Sequence, residues 1–239
     1  MPLQNGIERP RMNEFLSYLS GKGSPVDRLP SIEALSAQLG VSKSKLREQM
    51  EVARCLGLIE VRPHTGMRRA EYAFAPALRA SLSYAVAKDA SLFDRFGELR
   101  TKVEMSFLKD AAARLTAEDH EILLGLITRA RAKLATHPVR IPHEEHRQLH
   151  LTIYSRLGNP FVIGVLQAYW DMYEAVGLSL YADLAYLQKV WDYHELMVEA
   201  IRRGDFAAAE RALLDHTRLL RHREAEGQEA AIRSSVSHS

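Results

Sequence analysis

Four histidines in the second half of this chain are spaced as ligands for one ion. His146 and His150 stand four apart, so on a helix both rings leave the same face. His194 lies ten residues before a Gly204-Asp205 turn and His216 eleven after it. Helices that meet at that turn run antiparallel and bring the two rings to similar heights. Adjacent helices would then gather all four imidazoles. An all-imidazole set suits zinc, nickel or copper better than magnesium, calcium or manganese. Spacing alone leaves a second reading open, because a pair four apart also fits an ordinary polar surface helix.

A hydrolytic reading of the same residues is weaker. A zinc-protease helix places Glu directly after its first His as general base, and here Arg147 follows His146. A cation cannot take a proton from metal-bound water. A metal-dependent hydrolase or lyase is therefore the secondary alternative, and no catalytic residue is assigned.

The other stretch able to do chemistry runs from Arg28 to Gly66. Ser31 is placed to cap a helix whose Ile32, Leu35 and Leu39 form an apolar stripe. Gly40 ends it, Val41 plugs the turn, and Ser42 caps a second helix. That helix carries Leu46, Met50 and Ala53 inward and shows Lys43, Ser44, Lys45 and Arg47 at its N-terminal end. This is the pattern of a helix-turn-helix with a recognition helix suited to a major groove. Ser and Lys reach phosphates and base edges, and Arg47 can fork onto guanine or phosphate. Leu58 to Val61 and Met67 to Arg69 read as two strands around Arg62-Pro63-His64-Thr65-Gly66, a basic wing. Arg28, Ser42, Lys43, Ser44, Lys45, Arg47, His64 and Gly66 are the expected DNA-contacting set.

The chain has 239 residues, 46% hydrophobic, with a net charge of only +2. Its charge is unevenly placed: residues 1–70 hold eleven Lys/Arg against seven Asp/Glu, and the remainder 21 against 23. The surplus sits where phosphate attraction requires it. The single cysteine, Cys55, excludes an internal disulfide and fits a reducing, cytoplasmic setting. It is expected to be a small buried apolar residue of the recognition helix. No apolar run approaches the roughly 20 residues of a membrane span, and no signal-peptide core is present.

The elements that must position these residues follow from periodicity. Residues 1–9 read as a loose arm, and Arg11 to Leu19 as a short helix with Met12, Phe15, Leu16 and Leu19 inward. Ala77 to Ala87 reads as a linker helix. Leu92 to Leu115 carries Phe93, Phe96, Leu99, Val103, Phe107, Ala111 and Leu115 at helical spacing. Thr116 to Asp119 resembles a capping box for a helix through Leu134. Further helices span Ile141 to Leu157, Phe161 to about Leu180, Leu184 to Arg203 and Phe206 to about Glu226. The fold class is mainly α: a winged helix-turn-helix over 1–72, a linker over 73–90, an all-α bundle over 91–228 and a disordered tail over 229–239.

The first region resembles the winged helix of the GntR family of bacterial transcription regulators. Leu29-Pro30-Ser31, Leu35, Gly40-Val41-Ser42-Lys43-Ser44, Leu46-Arg47-Glu48, Gly57-Leu58-Ile59 and Gly66 carry the likeness. Two departures stand out: Ile32-Glu33 replaces an acidic–basic pair, and Lys43 stands where Arg is commoner. In the second region, ELRTKVEMSFLKDAAARLT, HRQLHLTIYSRLGNPF and YHELMVEAIRRGDFAAAERALLDH resemble the FCD effector-binding domain of the FadR subfamily. The resemblance implies a divalent metal held at the positions of His146, His150, His194 and His216, with His146 in a slot that usually holds Asp. Zinc or nickel is the expected ion. It also implies a homodimer on a double-stranded operator and a small anionic metabolite as effector, with Arg100 reaching its carboxylate. By its residues alone, Arg100 is equally a salt-bridge partner, and Asn159 reads as a helix C-cap ahead of Pro160 before it reads as a contact at the pocket rim. With neutral imidazoles around a divalent ion, Arg100 would add a third, uncompensated positive charge. A DNA-binding dimer with a vestigial pocket is the blander alternative.

Overall fold

The computed structural model describes residues 12–21, 28–62, 66–175 and 183–219. They form two compact units, Met1–Ser81 and Leu82–Ser239. The expected arm, the wing tip with His64, and the C-terminal tail lie outside the described residues.

In the first unit, α1 (Glu14–Leu19) opens on Asn13, whose side chain accepts from the Leu16 amide. Because the helix starts later than expected, Met12 lies ahead of it, exposed, while Phe15 and Leu19 are buried. Ser31 caps α2 (Ile32–Leu39), and Gly40 ends it at φ 66°. That left-handed value is why the turn carries glycine. Ser42 caps α3 (Lys43–Cys55), its side chain accepting from the Lys45 amide. β1 (Ile59–Arg62) and β2 (Gly66–Arg69) pair antiparallel, with Ile59 opposite Arg69 and Arg62 opposite Gly66. A single bridge between Arg28 and Arg68 ties the chain before α2 to the hairpin.

One small core closes this unit: Phe15, Leu19, Leu29, Leu35, Leu46, Ala53, Ile59 and Met67. Gly57 turns α3 into β1 at φ 71°, and a Cβ there would meet Pro76 Cγ at 2.5 Å. The inward face of α3 is Leu46, Gln49 and Ala53, with Met50 only partly buried. Gln49 takes the inward place because its Oε1 accepts from the Phe15 amide at 3.0 Å, satisfying a free donor of the first turn of α1. Cys55 is exposed, against the expectation of burial. At about 100° per residue, it lies about 200° round from Ala53 and faces outward.

The described residues of the second unit form helices joined by turns, with no strand among them. After α4 (Ala75–Lys88), in which the division between the units falls, come α5 (Leu92–Ala112), α6 (Ala117–Leu134) and α7 (His143–Tyr154). A short 3-10 turn, Ser155–Leu157, precedes α8 (Pro160–Ala175) and α9 (Leu184–Arg202). Residues 206–219 are helical and are labelled α10. Thr116 and Asp119 form the capping box at the start of α6. Leu108, Leu123, Leu149, Ile153, Leu166, Trp191, Met197 and Leu213 lie at the heart of the core.

The buried stripe of α5 differs from the apolar one read from the sequence. Leu99 is 51% exposed, while Phe93, Phe96, Arg100, Glu104, Leu108 and Ala111 are buried. Their steps of three and four residues trace one helix face. Two charged residues stand in the middle of that face, where a search for apolar periodicity passes over them.

Candidate functional site

α7, α9 and α10 each deliver imidazoles to one buried point. His146, His150, His194 and His216 are all buried, and one nitrogen from each lies within 4.8 Å of the others. Ring centroids of His194 and His216 are 4.4 Å apart, and those of His146 and His194 4.6 Å. The four-residue spacing on α7 and the similar heights on α9 and α10 are thus realised. Trp170 of α8 packs its ring edge-on to His146 at 4.5 Å.

Burial, followed by the neighbouring histidines and Arg100, pushes His146 and His194 well below the usual imidazole range. Burial, then His150 and Arg100, does the same to His216. These rings are therefore neutral at ordinary pH, the state in which imidazole binds a metal. His146 Nε2, His194 Nδ1 and both ring nitrogens of His216 are buried with no hydrogen-bond partner. A buried polar atom left unpaired costs free energy comparable to a lost hydrogen bond. One nitrogen from each of four neutral imidazoles, gathered this closely, fits a transition-metal ion as donor set and as electrostatics.

His150 differs from the other three. Its Nδ1 lies 2.8 Å from Glu104 Oε1 and 3.1 Å from Arg100 Nη2, and its Nε2 lies 3.2 Å from His194 Nε2. Burial lowers its pKa, while Glu104 works against that lowering. Glu104 also receives Arg100, Nε to Oε2 at 2.7 Å. Burial disfavours the Glu104 carboxylate, but Arg100 and His150 overcome this and hold it below its usual range. The Arg100 guanidinium further stacks 4.7 Å from the Tyr169 ring centre and 5.3 Å from that of Trp170.

Glu104 corrects the charge expected here. Arg100 is not an uncompensated cation, because its charge is matched one helical turn away within the same buried pocket. Glu104 has no place in the apolar stripe read from the sequence, which runs through Val103 and Phe107 on either side of it. The signal was its four-residue spacing from Arg100, the distance at which an acid and a base on one helix meet.

The remaining residues have plain roles. Asn159 Oδ1 accepts from the Phe161 and Val162 amides at 3.0 and 3.3 Å, so it caps the start of α8 rather than the end of the preceding turn. Its side-chain oxygen is committed to that cap. Arg147 is bound to Asp171 at 2.9 Å.

In the first unit, Lys43, Ser44, Lys45 and Arg47 are exposed at the start of α3, beside the exposed Ser42 cap. Lys43 Nζ pairs with Glu33 at 2.9 Å and Lys45 Nζ with Glu14 at 2.7 Å. Among the described residues Arg47 has no ion-pair partner. Arg28 is exposed, and Gly66, at φ 78°, leaves space that the Arg28 guanidinium occupies: a Cβ there would lie 3.3 Å from Arg28 Nε.

Residues 96–219, just over half of the chain, match the family model described as the FCD domain. The chain is 23% identical over 202 residues to the HTH-type transcriptional regulator LutR of Bacillus subtilis, covering 82% of this chain and 91% of that protein. A solved structure titled Streptococcus agalactiae GntR superposes with a TM-score of 0.59 at 19% identity, over 83% of this chain and 90% of that one. This last likeness establishes the fold alone.

Proposed function

Because the chain belongs to the GntR family of DNA-binding transcription regulators, with an FCD domain, we propose that a small carboxylate metabolite, held at a divalent metal in the histidine cluster, sets its affinity for an operator. The observation that carries this reading is the convergence of four buried imidazoles, each with a ring nitrogen within 4.8 Å of the others. His146, His150, His194 and His216 would hold zinc or nickel, and the ion would supply a Lewis-acid centre for a carboxylate oxygen. Arg100 lies against the same cluster, and the N–H groups it does not spend on Glu104 are available to a second carboxylate oxygen.

The DNA-binding part of the proposal rests on the exposed end of α3. Arg47 is its uncommitted fork, Lys43 and Lys45 are phosphate partners that must first leave Glu33 and Glu14, and Ser42, Ser44, Arg28 and the wing complete the face. One such unit makes few contacts, so useful specificity requires two copies on half-sites one or more helical turns apart. We therefore propose a homodimer on a near-palindromic operator.

The test is a thermal-shift and calorimetric screen of metal-stripped full-length protein with zinc or nickel, then with small carboxylates and sugar acids, followed by a gel-shift titration on operator DNA. Stabilisation by the metal, a further rise with one carboxylate, and a matching change in operator affinity are expected. Protein that takes up neither ion, or whose operator affinity ignores every carboxylate, would remove the reading.

A further inference from the structure

Metal-site histidines are set as much by what holds their other nitrogen as by the ion, because that hydrogen bond fixes tautomer and ring orientation. Of the four imidazoles, three present unpaired buried nitrogens, and among the described residues only His150 is gripped by a charged group on another helix. Glu104 reaches it from α5 at 2.8 Å. The shorter contact at His150 Nδ1 is the one to the carboxylate, which only accepts. The longer contacts come from Arg100 Nη2, at 3.1 Å to Nδ1 and 3.4 Å to Nε2.

We propose that Glu104 is a positioning residue of the cluster: its carboxylate accepts a hydrogen bond from His150 Nδ1–H and so keeps the His150 Nε2 lone pair turned toward the other three histidines. The proposal rests on the metal-site reading above for its consequence, but its premise concerns this chain's own hydrogen bonding.

The surroundings support the assignment. With the proton on Nδ1, His150 Nε2 is an acceptor, and the 3.2 Å contact to His194 Nε2 becomes a hydrogen bond donated by His194. Glu104, His150 and His194 then form one directed chain, in which each donor meets an acceptor. The opposite tautomer would leave Glu104 Oε1 facing a bare Nδ1 lone pair at 2.8 Å, acceptor against acceptor. Arg100, for its part, is what lets a carboxylate stay in this place. It contributes an ion pair at 2.7 Å and is itself backed by Tyr169 and Trp170. The Tyr154 hydroxyl donates to the Glu104 backbone carbonyl at 2.9 Å, which fixes this turn of α5 against α7. A negative charge thus stands next to the cluster without being a ligand. It occupies the outer position of the carboxylate–histidine arrangement that tunes metal sites.

The experiment has two independent readouts on full-length protein. The first is the ring-nitrogen NMR spectrum of metal-free protein, in which His150 is expected as the Nδ1–H form. The second is the dissociation constant for zinc or nickel by calorimetry, compared among wild type, Glu104→Gln and the double variant Arg100→Met/Glu104→Leu. Gln keeps the size but offers both donor and acceptor to Nδ1. The double variant removes the contact without leaving a lone buried charge, so it keeps a route to a folded comparison. Both are expected to lose the single tautomer and to bind metal about 10–100-fold more weakly. In a His150→Ala background, Glu104→Gln should have no further effect on metal affinity. An Nε2–H tautomer in wild type, or variants that bind metal as tightly as wild type, would overturn the role given to Glu104. Wild type that binds neither ion sinks the metal reading instead, and the tautomer spectrum still decides whether Glu104 holds His150.

Discussion

Arg100 Nε lies 2.7 Å from Glu104 Oε2, one helical turn apart on α5, and solvent reaches almost nothing of either side chain. A buried ion pair contributes little relative to apolar residues of the same shape, but removing one partner strands a charge. Glu104→Ala is therefore expected to cost about 3–5 kcal/mol, and Arg100→Met/Glu104→Leu to recover most of that loss. Urea denaturation of the three proteins measures it. A single-variant loss within the roughly 0–1 kcal/mol of an exposed pair would mean that water reaches the pocket.

On the metal-site reading proposed above, the residue at position 146 would set which ions fit. Four imidazoles favour zinc, nickel or copper, whereas a carboxylate in the set brings manganese and magnesium into range. His146→Asp is expected to keep zinc and gain measurable manganese affinity. With Glu104 already offsetting Arg100, the added negative charge should also weaken an anionic effector. His150→Ala and His216→Ala should each lose metal. Unchanged uptake in both, measured by elemental analysis after dialysis, would show that the cluster is no site.

Arg47 is exposed and has no ion-pair partner among the described residues, so on the proposed reading it is the residue of α3 best placed to read a base. Arg47→Ala should lose about 1–3 kcal/mol of specific operator binding while non-specific affinity falls much less. Gel-shift titrations on operator and scrambled DNA decide it, and equal operator affinity for the two proteins would end the assignment.

Lys45 is neutralised in part before DNA arrives. Glu14 sits 2.7 Å from it, and that hydrogen bond, with help from the Glu14 backbone and Gln49, takes the Glu14 carboxyl down to about 2. Glu14→Gln should free Lys45 for phosphate, raising non-specific affinity and steepening the salt dependence by up to about one counterion. Lys45→Ala should flatten it by about the same amount. Binding measured across a salt series reads both, and a Glu14→Gln slope equal to wild type would rule the competition out.

Asp119 gives the fold an acid limb. Hydrogen bonds from Arg156 and the Thr116 backbone hold its carboxyl at about 2, below its ordinary 3.8. A depressed carboxylate stabilises the folded state above its unfolded value, and that stability is lost as pH falls through the folded one. The window therefore runs from about pH 4 down to about pH 2. Asp119→Asn should cost about 1 kcal/mol near neutrality through the weakened cap, and its deficit should shrink across that window. A deficit that stays constant with pH would show that the charge of Asp119 plays no part.

What the sequence determined by itself is whatever local physics fixes. Ser31, Gly40 and Ser42 set the helix ends of the DNA-reading turn, because side-chain caps and a left-handed glycine act within a few residues. The histidine cluster was legible for a related reason: one pair shares a helix, and the other straddles a turn that sets its heights. The tertiary structure decided what depends on which face of a helix turns inward. Periodicity gave α5 an apolar stripe that included Leu99, whereas packing buried Arg100 and Glu104 there, as an ion pair whose carboxylate also takes His150 from a different helix. Gln49 displaced Met50, and Cys55 faced outward, by the same rule. Asn159 went to the start of α8 because the amides of Phe161 and Val162 lie within its reach. A charged side chain is stable inside only when its partner is there too: Arg100 and Glu104 supply each other's charge within one turn, while the ring that takes the other carboxylate oxygen lies 46 residues further along the chain, beyond the reach of any local pattern.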